Sequence, residues 1–186
     1  MKTKVILLVL CLILFGSSFL KAQGFKDPAS GKAIVYFVSL KKKSMTFEFF
    51  LNDKYIGILG KDNYKIVECD AGKQLLWASS ESKYFIPSEL AAGGSYIIIV
   101  ETTAGFWRNN PKLVPITCTH PDFKLASALI KSKPPMVTPQ TKIDKMNQDM
   151  ENFIPDNLKY YETKLKNEKQ FPSITPEMAI PVEAMK

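Results

Sequence analysis

The chain has 186 residues and a formal charge of +7, carried by 25 basic and 18 acidic side chains with a single histidine. Arg108 is the only arginine, so the bidentate guanidinium contacts that read phosphates and base edges are all but missing, and nucleic acid is excluded as a partner. One histidine and three cysteines without close spacing leave no zinc set, no glycine-rich loop opens a helix to cradle a nucleotide, and no cofactor is expected.

Residues 1–22 open with Lys2 and Lys4, continue through an apolar run of about eleven residues, and close on Ala22 after a Gly-Ser-Ser break. This is the pattern of a cleaved secretory signal, too short to cross a bilayer, so a secreted or periplasmic protein without a membrane span is expected. Its removal takes three lysines and lowers the charge to +4. The remaining 164 residues suffice to bury roughly 70% of the unfolded surface in one core.

After a polar tether at residues 24–32, residues 33–40 form a continuous apolar run, expected as a strand covered on both faces. Lys41, Lys42 and Lys43 read as a solvated connector. Phe47, Phe49 and Phe50 lie in a second strand, which Asn52 and Asp53 turn into a third over residues 55–59. Residues 64–79 read as a central hairpin, with Asp70 and Gly72 supplying the turn, so that three strands meander antiparallel. A short strand ends at Pro87, and Tyr96, Ile97, Ile98, Ile99 and Val100 give the strongest strand signal, expected at a sheet centre. Residues 112–118 make a last strand that Pro115 confines to an edge.

Eight of the 12 prolines fall after His120, where strand patterning stops. Asp122 is placed to cap a helix burying Phe123, Ala126, Leu129 and Ile130. Ile143, Met146, Met150, Phe153 and Ile154 recur at helical spacing, and Pro155 breaks that helix to start another with Leu158, Tyr161 and Leu165 on one stripe. These stripes are expected to pack on the sheets. The residues from Asn167 onward are polar and proline-rich and read as a loose tail. The fold class is therefore mainly β, an antiparallel sandwich of about seven strands over residues 23–120 with a helical extension over 121–186.

Gly31 to Phe37, Phe50 to Gly57, Ala71, Gly72, Lys73 and Gln74, and the Gly93, Gly94, Ser95, Tyr96 step into a strand form one pattern across residues 31–101. On these residues the chain resembles a bacterial family catalogued as domain of unknown function 2846, which is similar to PEGA-type β-sandwich modules. The resemblance implies a secreted or envelope-associated sandwich and supplies no catalytic residue. No Pro-Glu-Gly-Ala tetrapeptide occurs in the chain.

Candidate chemistry is sparse. Catalysis through a nucleophile and base would have to recruit His120, which reads as a loop residue between Thr119 and Pro121. Glu68 with Glu81 or Glu101 is the remaining carboxylate pairing for a hydrolase. Trp107 and Arg108, beside Phe106, Asn109 and Asn110, form a candidate ligand surface for an envelope protein or glycan. Cys69 and Cys118 are a candidate disulfide, closing a loop of about fifty residues for about 4 kcal/mol. The expected function is binding or structural, not enzymatic; a carboxylate hydrolase and a lipid carrier with a cavity in place of a packed core are the alternatives.

Overall fold

The computed structural model describes residues 24–40, 46–104 and 110–186. Eight strands form two four-stranded sheets: β1 (Lys32–Ser39), β2 (Phe47–Leu51), β3 (Lys54–Leu59), β4 (Asn63–Asp70), β5 (Gly72–Ser79), β6 (Lys83–Leu90), β7 (Ser95–Thr103) and β8 (Asn110–Ile116). One sheet has the order β4-β1-β7-β8 and the other β3-β2-β5-β6. The extension supplies α1 (Phe123–Ser132), α2 (Gln140–Asp149), α3 (Phe153–Tyr160), which runs on through a π-helical segment, Tyr161–Leu165, and a terminal α4 (Val182–Met185).

Alternation along the strands sorts the apolar residues into three stacked cores. Val35, Phe37, Ile98 and Leu113 of one sheet meet Phe49, Leu76 and Ile86 of the other in the central layer. Ile34, Tyr36, Ile97 and Ile99 point the opposite way and are covered by Phe123, Ala126 and Ile130 of α1. Phe50, Tyr55, Trp77 and Phe85 are covered on the far side by Ile154 and Tyr161. The molecule is thus layered helix, sheet, sheet, helix, and β1 is an unbroken apolar run because both of its faces are buried. In the third core Phe50 and Trp77 stack at 3.7 Å with their planes 11° apart, and Phe85 lies 4.5 Å from Tyr161.

The mainly β sandwich with a helical extension is as expected, with eight strands against about seven and one parallel pair, β1 with β7, Ile34 opposite Ser95. Other expectations are corrected. β6 does not end at Pro87 but runs through it to Leu90, as an edge strand allows. Residues 64–79 are not a hairpin, because β4 and β5 belong to different sheets. A lone connector, Ala71, is too short for a tight hairpin, which needs a two-residue loop. Each strand instead pairs over eight residues elsewhere, β4 with β1 and β5 with β6. The antiparallel meander therefore stops after the β2–β3 hairpin.

Asp122 makes no side-chain cap on α1. His120 does that work: its Nδ1 accepts the Asp122 amide at 3.1 Å and its carbonyl accepts the Phe123 amide at 3.0 Å. Pro155 lies inside α3, in the first turn, where its missing N–H costs nothing.

The tail is not loose. Ile174 is 2% exposed and bridges Ser88 of β6, donating its amide to the Pro87 carbonyl and accepting that of Glu89. Ile180 is buried and donates to the Ser95 carbonyl. The amino-terminal tether is docked as well: the Lys26 amide donates to the Tyr36 hydroxyl at 2.7 Å, and Phe25 packs edge-on against that ring.

Candidate functional site

Because β3 and β4 are consecutive in the chain but edge strands of different sheets, the central layer opens along their shared flank. Residues 134–139 cross that opening in extended form, held straight by Pro134, Pro135 and Pro139, and join α1 on one outer face to α2 on the other. This strap is fastened at three points. The Met136 amide donates to the Tyr64 carbonyl at 2.7 Å. The Thr138 hydroxyl accepts the Ile58 amide at 3.3 Å. Farther on, the Asn147 side chain of α2 pairs with both backbone groups of Tyr55.

Between flank and strap lies a groove of about 880 Å³. Its walls mix apolar groups, among them Ile56, Met136 and Val137, with three lysines, Lys26, Lys54 and Lys65, and three acids, Asp53, Glu68 and Asp144. Lys65 is the unusual member. It shares the inward register of Val67 and Cys69 on β4 and is only 5% exposed. Its ammonium donates to the Thr138 hydroxyl at 3.3 Å and forms no ion pair among the described residues. Burial pulls its pKa below the usual lysine value.

Room for that ammonium depends on Gly57. At φ +117° it takes a conformation almost confined to glycine, and a Cβ there would lie 2.2 Å from the Thr138 hydroxyl and 2.8 Å from the Lys65 nitrogen. Ile56, which bulges out of the β2–β3 ladder beside it, turns the strand at this point.

A second hollow, of about 510 Å³, lies beside Asn52, Gln74, Tyr161 and Thr175. Its amides are spent on each other: Asn52 donates to Gln74 at 2.6 Å and accepts the Leu75 amide at 2.8 Å.

The residues singled out in the sequence are not brought together. Trp107 and Arg108, with Phe106 and Asn109, lie outside the described residues, as do the signal segment and Lys41 to Lys43. Asn110, next to that loop, accepts the Ser82 amide and the Ser80 hydroxyl. Glu68 accepts the Ala29 amide, whereas Glu101 is ion-paired with Lys112 at 2.9 Å. Glu68 faces Ile34, which faces Ser95, six residues before Glu101 along β7. That separates the two carboxylates by about 20 Å, beyond the reach of a glycosidase pair. Glu81 stands beyond the far end of β5, about 25 Å along the strand from the Glu68 end.

Cys69 and Cys118 are both free, and the expected bridge is not formed. Cys69 is on edge strand β4 and Cys118 follows β8 at the opposite edge of the same sheet. Three strand spacings, about 14 Å, separate them, twice what a disulfide spans. Burial pushes the Cys69 thiol up to about 11. Among the described residues no cluster of three His, Cys, Asp or Glu is placed to hold a metal, and no helix is long and apolar enough to cross a membrane.

Lys65, Gly57, Thr138 and Asn147 were not legible as a group. One signal was available: in residues 64–69 the lysine occupies an apolar-facing register, a buried charge in need of a partner. Comparison with known proteins returns no matching family model, no similar curated protein and no similar solved structure.

Proposed function

We propose that the chain is a secreted, envelope-associated binding module without catalytic chemistry, and that the groove between the β3–β4 flank and the strap receives the bound component. The carrying observation is the groove itself. It is a preformed hollow of about 880 Å³ whose walls mix apolar and charged groups around a buried ammonium without an ion pair among the described residues, and ligand sites likewise combine apolar surface with a few polar groups. The resemblance of residues 31–101 to the domain of unknown function 2846 family and the signal-like start of the chain support an envelope setting. The scattered positions of Glu68, Glu81 and Glu101 favour binding over hydrolysis. Against a lipid carrier stands the filling of the central layer by side chains, with Phe37 and Phe49 in ring contact at 4.9 Å.

Photo-crosslinking in the intact envelope tests this reading. A crosslinking side chain at Val137, 71% exposed on the groove wall, is expected to trap a discrete partner or glycan; one at Leu125, 61% exposed on α1, is not. No adduct from Val137, or the same adduct from both positions, would overturn it.

A further inference from the structure

Lysine ammonium groups carry three donors. That of Lys65 uses one, on a neutral hydroxyl at the long distance of 3.3 Å, in a side chain 5% exposed. Burying a cation without a counter-charge is costly, and such groups are ordinarily paired. The surroundings have nevertheless been shaped to admit it: the glycine at position 57 leaves open the volume that any side chain would take from the ammonium and from Thr138. Two unspent donors thus face a hollow whose described residues provide no ion-pair partner.

We propose that this groove binds a carboxylate-bearing ligand, with the carboxylate received by the Lys65 ammonium next to Thr138 and Gly57. The proposal rests on the groove being the binding site and adds the ligand's chemistry. A carboxylate is favoured over a phosphate because one point charge matches a monoanion. A dianion would also meet Glu68, Asp53 and Asp144, which line the same groove. Ile56, Met136 and Val137 give an apolar contact for whatever carries the acid. Two sources share this chemistry, a small aliphatic acid and the free carboxyl terminus of a peptide.

The test follows the ε-methylene NMR resonance of Lys65 in the whole chain, labelled with ¹³C-lysine and assigned from Lys65→Arg. Acetate, hexanoate, a dipeptide with a free carboxyl terminus, the same dipeptide amidated, and inorganic phosphate are titrated in turn. The expected result is a saturable shift with at least one carboxylate and none with the amidated peptide. Hexanoate outcompeting the dipeptide identifies an aliphatic acid, and the reverse a chain terminus. Lys65→Met is expected to weaken binding about tenfold or more, the loss of one charge-assisted hydrogen bond. A resonance that no carboxylate moves, one that only phosphate moves, or unchanged affinity in Lys65→Met overturns the proposal. If Lys65→Met does not fold, the wild-type titration decides alone. A crosslinked partner at Val137 with an unresponsive Lys65 would remove the carboxylate assignment and leave the binding groove standing.

Discussion

Asn147 serves as the missing neighbour of Tyr55. Its side-chain oxygen accepts the Tyr55 amide at 2.8 Å and its nitrogen donates to the Tyr55 carbonyl at 3.1 Å, as an adjoining strand would. The same nitrogen also donates to Ile143, within its own helix. Together with the Thr138 hydroxyl at Ile58, this amide closes the exposed side of β3, the edge strand of its sheet. Asn147→Ala is expected to cost about 1–3 kcal/mol by leaving both groups unpaired. The uncovered edge should also promote self-association. Urea unfolding followed by light scattering at rising concentration measures both effects.

Gly57→Ala should be the most damaging single methyl addition on this flank. Its Cβ would overlap the Thr138 hydroxyl, and the backbone at φ +117° disfavours any side chain, at a cost of at least about 1–3 kcal/mol. The strap is expected to lift before the sandwich unfolds, so amide exchange at Ile58 and Met136, the groups fastened there, should accelerate ahead of exchange in β1 and β7.

Thiol labelling separates the two cysteines. In the chain from residue 23 onward, exposed Cys118 should react at once, whereas buried Cys69 should wait for opening and react slower by about 10³-fold or more. Mass spectrometry after mild oxidation should find no intramolecular bridge. A Cys69–Cys118 disulfide in folded protein would contradict the opposite-edge placement.

Alkaline pH should destabilise the fold from about pH 9 upward. Cys69 is raised from 9.0 to about 11, and Tyr36, mainly by burial, from 10.0 to about 12. In both cases the folded chain keeps a proton that the unfolded chain gives up. Their stabilisation is complete below the unfolded values and is lost as pH climbs through the folded ones. Lys65 acts with the opposite sign, since its folded value lies below 10.5, so stability gains as pH rises from that lower value toward 10.5. Thermal midpoints between pH 8 and 12 should fall overall. Cys69→Ala should flatten the decline between pH 9 and 11, and Lys65→Met should steepen it.

Much of the architecture is written locally. A continuous apolar run marked β1 as a strand covered on two faces, another marked β7 as central, Pro115 marked β8 as an edge, and the stripe of Phe123, Ala126, Leu129 and Ile130 marked the buried side of α1, whereas Pro87, expected to end β6, lies inside it on an edge strand. What local pattern does not encode is which strand pairs with which. Ala71 looks like a turn whether the chain doubles back within a sheet or crosses to the facing one, and the choice is made by full-length partners that are distant in sequence. Ile174 and Ile180 are isolated apolar residues among prolines, and only docking on β6 and β7 gives them a role. The groove is hidden for the same reason: Tyr55 and Asn147, which frame it, are 92 positions apart.

Three of the four sheet edges, β4, β3 and β6, are closed by Met136, by Thr138 with Asn147, and by Ile174, all later in the chain than any strand. A ribosome delivers residues in order, so every strand has emerged while those borders are still bare. An uncovered sheet edge is a template for pairing with another chain, so the strands are expected to be most prone to association before these later segments dock. A stop codon between β8 and Met136 is expected to yield a chain that keeps its strands but leaves these three edges open to pairing with other chains.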